Sequence, residues 1–288
     1  MQILLNGLIQ GLLIALTAVG FSAVYNSTGI FHIGQAAVYA LTPFFAQSLI
    51  QAGVTALLAV IISITGAVIF SILLEVVNHW PLHKKEASPQ IHLITSLGIY
   101  LASVQFIAIL WGNETRILRE GIDSTFTFRE IILTRSQLFG GLASILCIAG
   151  FFIWLKKTNA GLKFKALSDN PIQLSLMGYN IKALRMLAFG LSGIFTAAAS
   201  LLTATDIGFD PHGGLAAVLL GIVATITGGR GTFVGPVVSG ILLGLIRAEV
   251  VWHTSSRVQD ALTFLILVLF LFFRPQGIMG KKGRVETL

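Results

Sequence analysis

One cysteine in 288 residues is the first shortage. Cys147 lies in an apolar stretch with no second cysteine, which excludes an intrachain disulfide and argues against a cysteine-based metal site. Charge is the second. Asp, Glu, Lys and Arg make up 11% of the chain, against about 25% in soluble domains. Hydrophobic residues make up 55%, and the mean hydropathy is +0.86. This is a membrane protein's composition, with room for roughly eight to ten spans of about 20 residues. Catalytic motifs are the third absence. Gly228-Gly-Arg-Gly231 is glycine-rich but fits neither G-x-x-x-x-G-K-[ST] nor G-x-G-x-x-G. Neither H-E-x-x-H nor G-x-S-x-G occurs. The expectation is no enzyme activity, no cofactor and no metal site. A pump without a nucleotide site must draw on an ion gradient or on a partner ATPase. Ionisable groups are scarce inside the apolar segments, and a proton-coupled carrier would want them there.

The positive charge that is present has a simple reading. The net charge is +7, with the cations in loops and near the C-terminus. A cytoplasmic bias of Lys and Arg explains this without nucleic acid as a partner. The N-terminus shows no charged leader region and no clear small-residue cleavage site, so the first apolar segment reads as a retained span. Asp206, Asp210 and His212 could be imagined as metal ligands, but TDIGFDPHGG is dense in turn formers and reads as an exposed loop. Arg247 and Glu249 fall late in an apolar segment and read as snorkelling towards the interface. Asp260 falls near the start of the last segment, where a carboxylate favours a helix N-terminus.

The hydropathy pattern predicts an all-α, polytopic membrane protein in one transmembrane domain, residues 1–288. The apolar segments are 3–25, 32–50, 54–77, 91–111, 137–155, 184–204, 215–227, 233–251 and 258–273. Eight or nine would enter the bilayer, the short ones as re-entrant or broken helices. Gly7 and Gly11, and again Gly240 and Gly244, stand at the G-x-x-x-G interval that lets helix backbones approach. A repeat is also visible. His32-Ile-Gly-Gln-Ala-Ala-Val38 and His212-Gly-Gly-Leu-Ala-Ala-Val218 share H-x-G-x-A-A-V, and each opens a short apolar segment. Transporters are often built from repeats with binding sites at corresponding broken helices, which would put both histidines beside a pathway. The bland alternative is coincidence among abundant small residues.

A polar island, KKTNAGLKFKALSDNPIQLSLMGYNIKALR, runs from Lys156 to Arg185 between apolar flanks. It must lie outside the bilayer, and its basic character argues for the cytoplasmic side. Residues 156–183 form this cytoplasmic loop. His83, Lys84 and Lys85 then share that side, and residues 112–136 form an external loop of balanced charge. The N-terminus is outside. Three further segments carry the chain to Lys281, Lys282 and Arg284, placed inside. Ser168, Asp169 and Asn170 are good helix caps, Pro171 suits the first helical position, and Gly178 suits the residue after the end. A short helix over about 171–177 would carry Leu174, Leu176 and Met177 as an apolar docking side. An amphipathic loop resting on the membrane would satisfy the charge equally but would not explain the caps.

Three stretches resemble the permease subunits of branched-chain amino acid ABC importers of the Liv type. They are Gly7–Tyr39, Gly161–Leu202 with its A-x-x-D-x-P and M-G-Y-N elements, and Ala217–Gly280 with GGRGTFVGPVVSGILLGLI and LFFRPQGIMG. The resemblance implies an ABC importer permease fold in a bacterial inner membrane. It implies a second related permease subunit, two cytoplasmic ABC ATPases and an extracytoplasmic substrate-binding protein as partners. By residue, coupling to the ATPase falls to Lys165, Ala166, Asp169, Asn170, Pro171, Leu174 and Gly178. The first stretch departs from the family, because Phe31-His-Ile-Gly-Gln35 lacks the usual carboxylate. Pathway lining then falls to His32, Gln35, Tyr39 and His212. Urea, amides and other small polar solutes stay open as cargo, as does an ion-driven secondary carrier.

Overall fold

The computed structural model describes residues 1–280 apart from 120, 122, 129, 130, 254, 255, 274 and 275. The expected tail cations Lys281, Lys282 and Arg284 lie outside the described residues. Among the described residues, the regular structure is helical but for one hairpin. Helices α1 (Gln2–Thr28), α2 (Gln35–Gln51) and α3 (Ala56–Leu74) come first. A π-helical turn, Glu75–His79, carries α3 into α4 (Trp80–Lys84). Then follow α5 (Pro89–Trp111), a hairpin of β1 (Thr125–Phe128) and β2 (Ile131–Thr134), and α6 (Arg135–Lys157). The island folds as α7 (Asn159–Asp169) and α8 (Pro171–Leu176). The last helices are α9 (Ile181–Asp206), α10 (Gly213–Gly228), α11 (Val234–His253) and α12 (Ser256–Phe273).

Among the described residues, six stretches are long and apolar enough to cross a membrane: α1, the continuous Ala56–Lys84, α5, α6, α9 and α11. The expected eight or nine are not reached by length and hydropathy. At 17 and 16 residues, α2 and α10 rise only about 26 and 24 Å, short of a hydrocarbon core of about 30 Å. Two expectations need correction. The island holds two helices, not one, because Phe164 and Leu167 give α7 a buried side of its own. The loop 112–136 contains a hairpin, in which Thr125 pairs with Thr134 and Phe128 with Ile131.

Packing shows that the sequence repeat is structural. The first of its helices, α1, packs on α9, α10 and α11; the corresponding α9 packs on α1, α2 and α3. Likewise α2 touches α3 and α5, as α10 touches α11 and α12. These contacts correspond when α1, α2, α3 and α5 are exchanged for α9, α10, α11 and α12. The offset from His32 to His212 is 180 residues (212 − 32). The halves are inverted, since α1 runs from the hairpin end to the island end and α9 runs back. Gln2 Nε2 donates to Ile132 O at the hairpin end, while Gly29, in the left-handed region at φ 70°, stops α1 at the other.

The core is α1, apolar on every side and fully buried from Ala15 to Val24. Its Gly7 and Gly11 face Gly240 and Gly244 of α11 within one chain. A methyl built on Gly244 would stand 2.3 Å from Gly11 Cα. The two G-x-x-x-G pairs are therefore the two halves of one intramolecular helix contact. Past α12 the chain returns to the island end. Ile278 N donates to Thr227 O and Met279 N to Gly228 O, so the closing segment hydrogen-bonds to the GGRG turn between α10 and α11. Phe233, just after that turn, stacks on Phe164 of α7 at 5.5 Å. Four segments, not three, separate the island from this tail. Only an even number returns a chain to the side it left.

Candidate functional site

A cavity of about 660 Å³ opens at the hairpin end. The N-terminal half of α1, α2, the C-terminal half of α9, the start of α10 and the end of α11 enclose it. Ile3, Leu13, Ile14, Leu220, Val251 and Trp252 make most of the wall apolar; Asn6, Gln10, Tyr39 and Thr203 supply polar points. This is the size and mixed lining of a small-molecule site. Tyr39 Oη donates to Thr203 Oγ1 at 3.0 Å, and Ser200 Oγ donates to Tyr39 O at 2.5 Å, which ties α2 to α9 at the cavity floor.

Two charged residues stand in the wall. Asp210 stays in the loop, as expected, but is tied down there: its Oδ1 accepts from His212 N at 2.8 Å and Gly213 N at 3.0 Å at the entrance to α10. Arg247 lines the cavity instead of reaching for an interface, and its Nη1 donates to Thr263 Oγ1 of α12 at 2.9 Å. Glu249 is exposed and pairs with His253 at 3.8 Å.

Of the four residues named for the pathway, Tyr39 alone is in the cavity wall. Gln35 is buried one turn below it. Its Nε2 donates to Thr196 Oγ1 at 2.6 Å and to Thr17 O at 3.3 Å, joining α2, α9 and α1. His32 is buried lower still, at the island end of the same seam. His212 is exposed at the hairpin end, and its carbonyl accepts from Tyr100 Oη at 3.4 Å. The two repeat histidines thus occupy opposite ends of the molecule, one buried and one open.

Sequence reasoning missed what surrounds His32. Its Nδ1 lies 3.0 Å from His79 Nε2, and His79 Nδ1 lies 3.0 Å from His92 Nδ1. The Phe189 ring covers both His32 and His79, with centroids at 4.8 and 5.3 Å. Beside them Arg185 grips Glu75 with two hydrogen bonds, Nε–Oε1 at 2.5 Å and Nη2–Oε2 at 3.2 Å. The pair is buried, with Glu75 at 0% and Arg185 at 3% exposure. The apolar segments are therefore not free of ions. Glu75 and Arg185 fall inside the expected segments 54–77 and 184–204. The available signal was Glu75 and His79 at i, i+4 within an apolar run.

The residues expected to couple to an ATPase cluster on the island helices. Asn170 Oδ1 accepts from Gln173 N at 2.9 Å and caps α8; Pro171 takes the first helical position. Gly178 follows the helix with φ 81°, a left-handed conformation that a side chain would strain. Lys165, Asp169 and Pro171 are exposed, Ala166 partly so. Leu174 points inward at 5% exposure, so it anchors the helix and does not present a docking side. The presented face is Ile172, Leu176 and Met177, which are 70%, 84% and 68% exposed.

An all-α, multi-pass membrane protein folded as an inverted repeat, with a cavity at one end and a capped polar helix pair at the other, has the build of a transport permease. The chain belongs to the family described as branched-chain amino acid transport system / permease component, whose model matches residues 3–271. It is similar to the high-affinity branched-chain amino acid transport permease BraD of Pseudomonas aeruginosa, 24% identical, covering 98% of this chain and 96% of that one. It is 23% identical to a probable permease of the same type, LivH, from Methanocaldococcus jannaschii, over 97% and 92%. The autoinducer 2 import permease LsrC of Klebsiella pneumoniae matches at 30% over 66% of this chain and 54% of its own length. A solved structure, PsaBC from Streptococcus pneumoniae in complex with Fab, shares the fold with a TM-score of 0.54 at 14% identity, covering 96% and 93%.

Proposed function

We propose that this chain is the membrane-embedded permease subunit of an ATP-driven importer for branched-chain amino acids, in a bacterial inner membrane. Near full-length similarity to permeases named for that cargo supports the substrate class. The cavity suits it, with apolar wall for an aliphatic side chain and polar residues at the floor. Its mouth faces outward in this reading, where a binding protein delivers substrate. The island faces the cytoplasm, and α2 and α10 enter the bilayer as short, paired segments. A second related permease subunit and two ATPases complete the importer.

The observation that carries the reading is the exposed Ile172, Leu176 and Met177 on the capped α8, at the far end of the protein from the cavity. Exposed apolar side chains on a water-facing helix mark a protein contact. Rigid-body motion of a docked ATPase would reach α9 through α8. The test is capture of the detergent-solubilised complex from the cell that makes it. Wild type should bring down an ATPase. Leu176→Arg with Met177→Arg should lose it, because both side chains are exposed and their loss leaves the core intact. Retention of the ATPase by that variant would sink the coupling assignment.

The LsrC match supports a second cargo reading, a different small polar solute carried by the same machinery. Competition of uptake by unlabelled leucine separates the two.

A further inference from the structure

The inverted repeat gives the cavity a counterpart. Exchange of the halves maps the N-terminal half of α1 onto that of α9, the end of α9 onto that of α1, and the end of α11 onto that of α3. That region lies at the island end. It is filled by His32, His79, His92, Phe189 and the Glu75–Arg185 pair.

We infer that this cluster is the inner gate of the permease, the closed counterpart of the outward cavity; the inference rests on the importer reading. Four separate pieces of chain meet in it: the α1–α2 loop, the π-turn, the first turn of α5 and the start of α9. They are joined by polar contacts between rings and ions, next to the buried apolar contact of Ala67 and Leu74 with Ala197 that holds α3 on α9. Parting α9 from the π-turn would break the bidentate ion pair and the Ser71 Oγ to Phe189 O bond and expose a ready-made polar wall. Three buried polar atoms in the same seam have no hydrogen-bond partner among the described residues: His32 Nε2, Gln35 Oε1 and Ser192 Oγ. Buried groups of that kind are costly when unmet, and water in an opened seam would meet them. A π-turn in an otherwise α-helical span is a frequent mark of a functional site, and here it carries Glu75 and His79. The gate is also within reach of the ATPase. Arg185 lies nine residues after the end of α8 (185 − 176), early in α9, and Lys182 and Arg185 both lie over the Trp80 ring, at 5.6 and 5.8 Å.

The test is a lock. Glu75→Cys with Arg185→Cys, in a Cys147→Ala background, is reconstituted in proteoliposomes with its partner permease, ATPases and binding protein. Labelled leucine, isoleucine and valine are the probes. If the cluster must part, oxidation should cut ATP-driven uptake roughly tenfold or more, and a reductant should restore it. A contact that merely holds the fold together would tolerate the cross-link. Unchanged uptake, with the disulfide verified by mass spectrometry, overturns the gate. Should the double cysteine variant not fold or its thiols not close, Trp80→Cys with Lys182→Cys, bridged by a short bifunctional thiol reagent at the cluster's rim, gives the same two readings. Absence of uptake by the wild-type complex would defeat the importer reading itself, and with it the gate.

Discussion

Glu75 and Arg185 show how differently two charged residues behave once they are paired. Alone in an apolar segment, either would cost several kcal/mol. Together they share two hydrogen bonds in a site closed to solvent. Removing one partner leaves an uncompensated buried charge, a loss of about 3–5 kcal/mol, whereas neutral replacement of both can be nearly free. Glu75→Ala should therefore lower the melting temperature in detergent far more than Glu75→Leu with Arg185→Met. Equal melting of the two variants would mean that the pair is not buried as described. The sequence held both residues in view, yet pairing across 110 positions leaves no local trace. The same holds for His79 and His92, which acquire meaning only beside His32. Tyr39 was legible because a tyrosine in a short apolar segment is conspicuous; its partner Thr203 was not.

Among the elements, the long apolar runs were legible and their pairing was not. α1, α5, α6, α9 and α11 follow hydropathy to within a few residues of the expected bounds, because bilayer thickness dictates their length. α8 was legible from Asn170, Pro171 and Gly178, since caps are local chemistry. α7 was hidden, because its buried side is only Phe164 and Leu167 among polar residues. Strands of four residues, TFTF and IILT, are too short to show a period. Small residues predict where helices touch. Gly244 has no room for a methyl, whereas a methyl on Gly150 meets nothing within 4 Å. Gly244→Ala should destabilise by about 1–3 kcal/mol through overpacking of α1 on α11. Gly150→Ala should be close to neutral in the same thermal assay. If both variants melt alike, the G-x-x-x-G contact between α1 and α11 is not the tight joint described here.

At the scale of the whole molecule, one motif carried more than its seven residues suggested. H-x-G-x-A-A-V marked the start of α2 and of α10, and the contacts of the two halves mirror each other around it. Breaking that mirror is what a transporter must do, and the structure is open at the hairpin end and filled at the island end. Similarity over residues 3–271 identifies the family, and the capped α8 with its exposed Ile172, Leu176 and Met177 supports an external source of power. The most direct test is uptake of labelled leucine by proteoliposomes holding this chain with its co-purified partners. Uptake is predicted to need both ATP and the binding protein, and to vanish with Leu176→Arg and Met177→Arg. Uptake that runs on an ion gradient without ATP, and survives those two changes, would contradict the account and identify a secondary carrier.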